Sequence, residues 1–246
     1  MKKTKFYLIP AIIITFGLLI GLTTTNCSNI NFSGIEGNGK IVTEERNVSE
    51  FNGIEASGAF NIVLNEGTQN TVKVEADENI IKHIITEVKG NTLKLFTDTT
   101  INNPKKMNLI ITYKNLISIE SSGACKILGN SEIKTEHFSL NMSGATDVNL
   151  KLSVVSLNTV LSGTGSIDIS GNADNQNIEL SGASSFNAFN FITNITTIDL
   201  SGVGSAKINA IKEINGELSG VGSIHYKGEP IKNISISGLG SISNIK

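Results

Sequence analysis

The chain has 246 residues, 39% of them apolar, a formal net charge of −2 and no Trp, so a packed core is possible in one large domain. Only 5% of residues are aromatic, which argues against a deep aromatic ligand pocket. Arg46 is the single Arg, and no basic run follows the N-terminus, so a nucleic-acid partner is not expected.

Lys2, Lys3 and Lys5 precede an apolar stretch from Phe6 to Leu22, then Thr23-Thr24-Thr25-Asn26-Cys27. This is the layout of a secretory signal peptide over residues 1–26. A single transmembrane anchor is the alternative, since a tilted stretch of this length reaches across a bilayer. Cys27 favours export with lipidation, because a Cys just past the apolar region resembles a bacterial lipobox. Asn26 departs from the Gly or Ala usual before that Cys, so cleavage without lipid is a further alternative. Lipidation at Cys27 would tether the protein to a membrane of the cell envelope, with the outer membrane the expected one. Cleavage would remove three Lys and no acid, leaving about five negative charges. It would also leave Cys125 as the only free thiol, with no intramolecular disulfide available.

Residues 27–45 are polar and rich in Gly and Asn, and are expected to form a tether. Residues 46–120 read as an irregular, strand-rich first part of the domain 46–246. Val72-Lys73-Val74-Glu75-Ala76 and Leu93-Lys94-Leu95 alternate. Between them, Ile80, Ile81, Ile84, Ile85 and Val88 recur at helical intervals and predict one short helix within 78–88.

From residue 121 the pattern is a repeat. Ser-Gly pairs begin at Ser122, Ser143, Ser162, Ser181, Ser201, Ser219 and Ser237, with gaps of 21, 19, 19, 20, 18 and 18 residues. An earlier copy is Ser57-Gly58-Ala59. Alternating runs precede each pair, as in Ile178-Glu179-Leu180, and follow it, as in Ile224-His225-Tyr226. Self-similarity at this period predicts an all-β, right-handed parallel β-helix or solenoid with coils of about 19 residues over 121–246. An antiparallel meander or barrel is the alternative. Gly at the corner is expected for positive φ and for close approach of coils.

Stacking converts aligned residues into columns. Ser166, Ser185, Ser205, Ser223 and Ser241 each lie four residues past a marker Ser. They are read either as hydroxyls satisfying corner backbone groups or as a polar stripe that meets a glycan or protein. Glu179, Asp199 and Glu217 lie two residues before the marker and would stack as like charges. They form either a solvated face or a weak candidate cation site, since Ca²⁺ takes oxygen ligands. Asn149, Asp168, Asn187, Lys207, His225 and Ser243 make a third, mixed polar column.

Catalytic and cofactor chemistry is missing from the pattern. His83, His137 and His225 are scattered and lack metal-ligand spacing. The Ser-rich corners lack the G-x-S-x-G setting of a nucleophile elbow. The Gly-x-Gly pieces sit inside repeats rather than between a strand and a helix. No enzyme activity and no cofactor are expected, with a carbohydrate-active β-helix enzyme as the class to exclude.

Phe51-Asn52-Gly53-Ile54-Glu55-Ala56-Ser57-Gly58-Ala59-Phe60, the segment VKVEADENII at 72–81 and the Ser-Gly coils closely resemble the auto-transporter adhesin head GIN-domain family. The resemblance spans about residues 45–246. It implies a β-helical fold in an exported bacterial protein, often a lipoprotein, and carries no site residue over. The expectation is a non-catalytic binding or adhesion module of the cell envelope. The alternative is a structural or signalling envelope protein that binds another protein, and the second alternative is a carbohydrate-active β-helix enzyme. The last coil, from Ser237, shows no polar cap, so end-to-end homo-oligomers or closure by a tucked terminal segment are expected.

Overall fold

Period-two alternation lets one strand send half its side chains inward and keep the rest in water. In the computed structural model, which describes residues 34–245, the alternating runs stack as parallel strands into a β-solenoid of about seven turns. Four long strands, β11 (Ala124–Met142), β12 (Ala145–Leu161), β13 (Thr164–Leu180) and β14 (Ala183–Leu200), each wrap nearly a whole coil and are interrupted only at Ser-Gly. β15 (Val203–Leu218), β16 (Val221–Lys227), β17 (Ile231–Ile236) and β18 (Leu239–Asn244) continue the stack.

Every long-strand pairing is parallel, which removes the meander and barrel alternatives. Ile62, Ile127, Val148, Ile167, Phe186, Ala206, Ile224 and Ile242 form one inward column. Phe186 lies beside Ala206 there, a large and a small side chain filling one layer between them.

The first part of the domain closes the opposite end of the stack. β3 (Gly53–Ser57) and β4 (Asn61–Glu66) form a coil with its own Ser57-Gly58 corner. The chain then runs outward through β5 (Thr71–Asp77), β6 (Ile84–Lys89), β7 (Thr92–Thr97) and β9 (Met107–Tyr113), with the two-residue β8 (Ile101–Asn102) between the last two. It returns over β3 with β10 (Ser118–Ser121). β7 and β9 therefore lie on one side of the β3–β4 coil, and β10 and β11 on the other. Antiparallel pairs β5–β9 and β6–β7 cap this end.

Two expectations for this region become more specific. Of the tether expected over 27–45, the described part, from residue 34, contributes strands: β1 (Ile35–Glu36) pairs with β8, and β2 (Ile41–Asn47) pairs with β5. Ile35 and Val42 pack against the core, which draws this polar segment into the fold. The short helix is a single 3₁₀ turn, Ile81–His83, and Ile84–Lys89 is strand. Ile84 is already in the extended region at the end of the turn, and the Arg46 guanidinium donates to the carbonyl oxygens of Ile81 (2.9 Å) and Ile84 there.

Buried Asp77 ties the cap together. Its carboxylate accepts N–H bonds from Gly39 (2.6 Å), Lys105 (2.9 Å) and Lys106 (3.2 Å). Burial alone would raise its pKa, but these backbone donors outweigh burial and hold the carboxyl below its ordinary value.

At the other end, β17 pairs with β15 and β18 with β16, and no segment among the described residues covers their outer edges. Residues 1–33 lie outside the described residues, and with them the signal peptide, Cys27 and the start of the tether.

Candidate functional site at the Ser-Gly corner

The corner is built by close approach of backbone. A Cβ on Gly144, Gly163, Gly182, Gly202 or Gly220 would lie 1.8–2.1 Å from the carbonyl oxygen of the marker Gly one coil before it. None of the marker glycines has φ in the left-handed region, so proximity and not positive φ demands Gly. Backbone bonds run straight through: Ala145 N–H donates to Gly123 O (3.0 Å), Thr164 to Gly144 (3.0 Å) and Val221 to Gly202 (3.0 Å). The amides directly after the marker Gly, at Ala145, Thr164 and Val221, therefore have backbone partners.

The serine column forms as its spacing implies. Ser166, Ser185, Ser205, Ser223 and Ser241 are successive register partners. Their hydroxyls do not serve the corner backbone. Ser166 Oγ donates to Asp147 Oδ1 at 2.8 Å, and Ser223 Oγ meets His225 Nε2 at 3.1 Å. Ser185, Ser205 and Ser241 make no side-chain hydrogen bond among the described residues, which leaves their hydroxyls to solvent or ligand. Toward the cap the same column continues with Asp147, Lys126 and Asn61, and Asp147 is legible from its place four residues past Ser143.

Glu179, Asp199 and Glu217 are also register partners in adjacent coils. The backbone N–H of Glu217 donates to Asp199 Oδ1 at 3.0 Å, and Ser237 Oγ to Glu217 Oε1 at 3.1 Å. No Lys or Arg pairs with the three among the described residues. No His, Cys, Asp or Glu side chains converge as a metal site among them either. The mixed column holds its register, with Asn187 Nδ2 donating to Asp168 Oδ1 (2.7 Å) and His225 Nδ1 meeting Ser243 Oγ (2.8 Å).

Sequence reading missed the column directly after the marker. Ala183, Val203, Val221 and Leu239 are register partners and exposed, with Leu239 at 83%. Together with the adjoining Ser-Gly pairs they line a shallow groove of about 500 Å³ that crosses four coils.

His83 Nδ1 meets Asp98 Oδ1 at 2.8 Å, but no hydroxyl or thiol bonds to His83 among the described residues. Both ring nitrogens of His225 are engaged by serines. Exposed His137 stands beside Ser156 in the register, and Cys125 is buried. No helix among the described residues is long and apolar enough to cross a membrane.

The architecture matches solved structures over most of its length. A structure described as a putative adhesin from Bacteroides fragilis is 32% identical, with a TM-score of 0.83, and the match covers 86% of this chain and all of that one. A structure from Parabacteroides distasonis described as a putative lipid binding protein is 23% identical, with a TM-score of 0.70 over 86% of this chain and 99% of that one. A third, described as a putative adhesin from Parabacteroides merdae, is 21% identical, with a TM-score of 0.64 over 86% and 99% of the two chains. The last two show the fold alone. No curated protein matches the chain. Residues 50–230 match the family model described as "Putative auto-transporter adhesin, head GIN domain", and the chain belongs to that family.

Proposed function

We propose that the solenoid is the head of an exported cell-envelope lipoprotein and acts as a non-catalytic adhesion or binding module. Diacylglycerol on Cys27 would hold it to the outer membrane. The observation that carries this reading is the serine column, which recurs once per coil from Ser166 to Ser241 on a parallel stack and leaves the hydroxyls of Ser185, Ser205 and Ser241 free among the described residues. Such a surface reads a ligand by shape and hydrogen bonds rather than by chemistry, and the ligand would be a glycan or a protein. Family membership supports an adhesion-like role and an extracellular or envelope setting.

Two measurements test the reading. Labelled lipid should enter the full-length chain and not Cys27→Ser. The isolated head should retain a ligand from a glycan array or an envelope extract and leave it chemically unchanged. Turnover of a polysaccharide by the head would replace the reading with an enzyme.

A further inference from the structure

The groove at the Ser-Gly corner has an unusual combination of neighbours. Its floor is glycine backbone, because no Cβ fits there. One wall is the row of marker serines Ser181, Ser201, Ser219 and Ser237. The other wall is the apolar row, and it grows toward the end of the stack. Ala183 gives way to Val203, Val221 and Leu239, exposed by 62%, 51% and 83%. An uncovered apolar row of this kind on a polar rim is the composition of an interaction surface.

Charge identifies what fits it. Beyond the serine wall stands the carboxylate column, and the contact between Ser237 Oγ and Glu217 Oε1 at 3.1 Å puts that column on the rim of the groove. Its three carboxylates have no cationic partner among the described residues, unlike Glu55, which bonds Lys94, or Glu75, which bonds Lys106. The nearby cations Lys207 and Lys227 stand over the ring of Phe189, at 5.8 and 4.8 Å from its centroid, and not over the groove. A membrane of anionic lipid, a nucleic acid or an acidic glycan would bring like charge to this rim. An approaching cation would meet unmatched carboxylates spaced one strand apart.

We infer that the Ser-Gly groove binds a basic, extended polypeptide segment of a partner protein, with apolar side chains on the Val203–Val221–Leu239 row and Lys or Arg on the Glu179–Asp199–Glu217 column. The inference rests on the binding-module reading and specifies its partner. Because the groove crosses the coils, the segment lies along the stack and contacts it through side chains and the serine hydroxyls. The coil edges are already paired within the groove, so strand addition is not its mode of binding.

The test is a titration of the head with a short fluorescent peptide of alternating Lys and Val, followed by anisotropy. Binding should fall about tenfold or more in E179Q/D199N/E217Q and again in V203S/V221S/L239S, equivalent to about 1.4 kcal/mol each. All six substitutions are on exposed side chains, and a melting temperature no lower than that of the wild type will show that each variant is folded. A peptide of alternating Glu and Val should not bind. Three outcomes overturn the inference. One is unchanged binding in both triple variants. Another is an equal loss in E45Q/E50Q/E136Q, which would make the effect one of net charge. The third is self-association of the free head that V203S/V221S/L239S abolishes, which would give the groove to a second copy. If both groove variants still bind the array or extract ligand of the head, the groove assignment fails and the binding-module reading stands.

Discussion

The backbone nitrogen of Ala124 donates to the carbonyl oxygen of Gly58 at 2.9 Å, so two corners far apart in sequence occupy adjacent coils. The intervening residues form the cap, and the stack resumes where it was left. A Cβ on Gly123 would meet that same Gly58 oxygen at 2.0 Å. The glycine column is therefore continuous from the cap to the last coil.

Gly163→Ala should lower stability by about 3 kcal/mol or more, because its Cβ falls on the Gly144 carbonyl and only backbone movement relieves it. Gly90 separates conformation from contact. It has φ +62° and open space around a Cβ, so Gly90→Ala should cost only about 1 kcal/mol. Urea denaturation of the two variants checks the order. Equal costs would show that the corner tolerates a side chain.

Asp77→Asn should cost about 2–3 kcal/mol at neutral pH, since it weakens three charge-assisted bonds and turns an NH₂ toward a donor. The Asp77 carboxyl titrates below its ordinary value, so its stabilisation is present above the unfolded pKa of about 3.9 and is lost as pH falls through the folded value. Amide exchange at Gly39 and Lys105 should accelerate in that acid window in the wild type. In Asp77→Asn it should be fast at neutral pH already.

Tyr113→Phe should leave stability unchanged or raise it by about 1 kcal/mol, because the buried hydroxyl has no hydrogen-bond partner among the described residues. Burial first, and the charge of Glu66 second, push this phenol up to about 12 from 10.0. A raised folded pKa means that its stabilisation is complete below pH 10 and is lost as pH rises toward 12. Alkaline thermal melts should show that decline in the wild type and less of it in Tyr113→Phe.

Replacing Glu179, Asp199 and Glu217 together by Ala should not lower the melting temperature, and should raise it most at low salt, where like charges repel furthest. Calcium should leave both proteins unaffected. A calcium-dependent stabilisation present in the wild type and lost in the variant would identify a cation site instead.

Much of this was legible in sequence because a solenoid maps period onto space. The serine, carboxylate and mixed columns all follow from counting residues before or after a Ser-Gly marker, since each parallel strand repeats its register on the next. The rest depends on contacts that counting does not reveal. Arg46, on a strand far earlier in the chain, reaches the carbonyl oxygens at the end of the 3₁₀ turn. Asp77 looks like one more polar residue after an alternating run, yet it gathers backbone from two distant loops. Residues 35–36 and 41–47 carry tether-like composition, and become strands because β8 and β5 offer unpaired edges to them. The corner glycines were read partly for positive φ, whereas stacking distance decides them.

The central claim is that the outward serine column of a non-catalytic head meets the ligand. The direct measurement is the affinity of the head for its captured ligand in Ser185→Ala/Ser205→Ala/Ser241→Ala, beside a melting curve. The account predicts affinity lower by about tenfold, near 1.4 kcal/mol, with stability unchanged and the ligand recovered intact. Wild-type affinity in that variant, or a ligand returned cleaved, would contradict it.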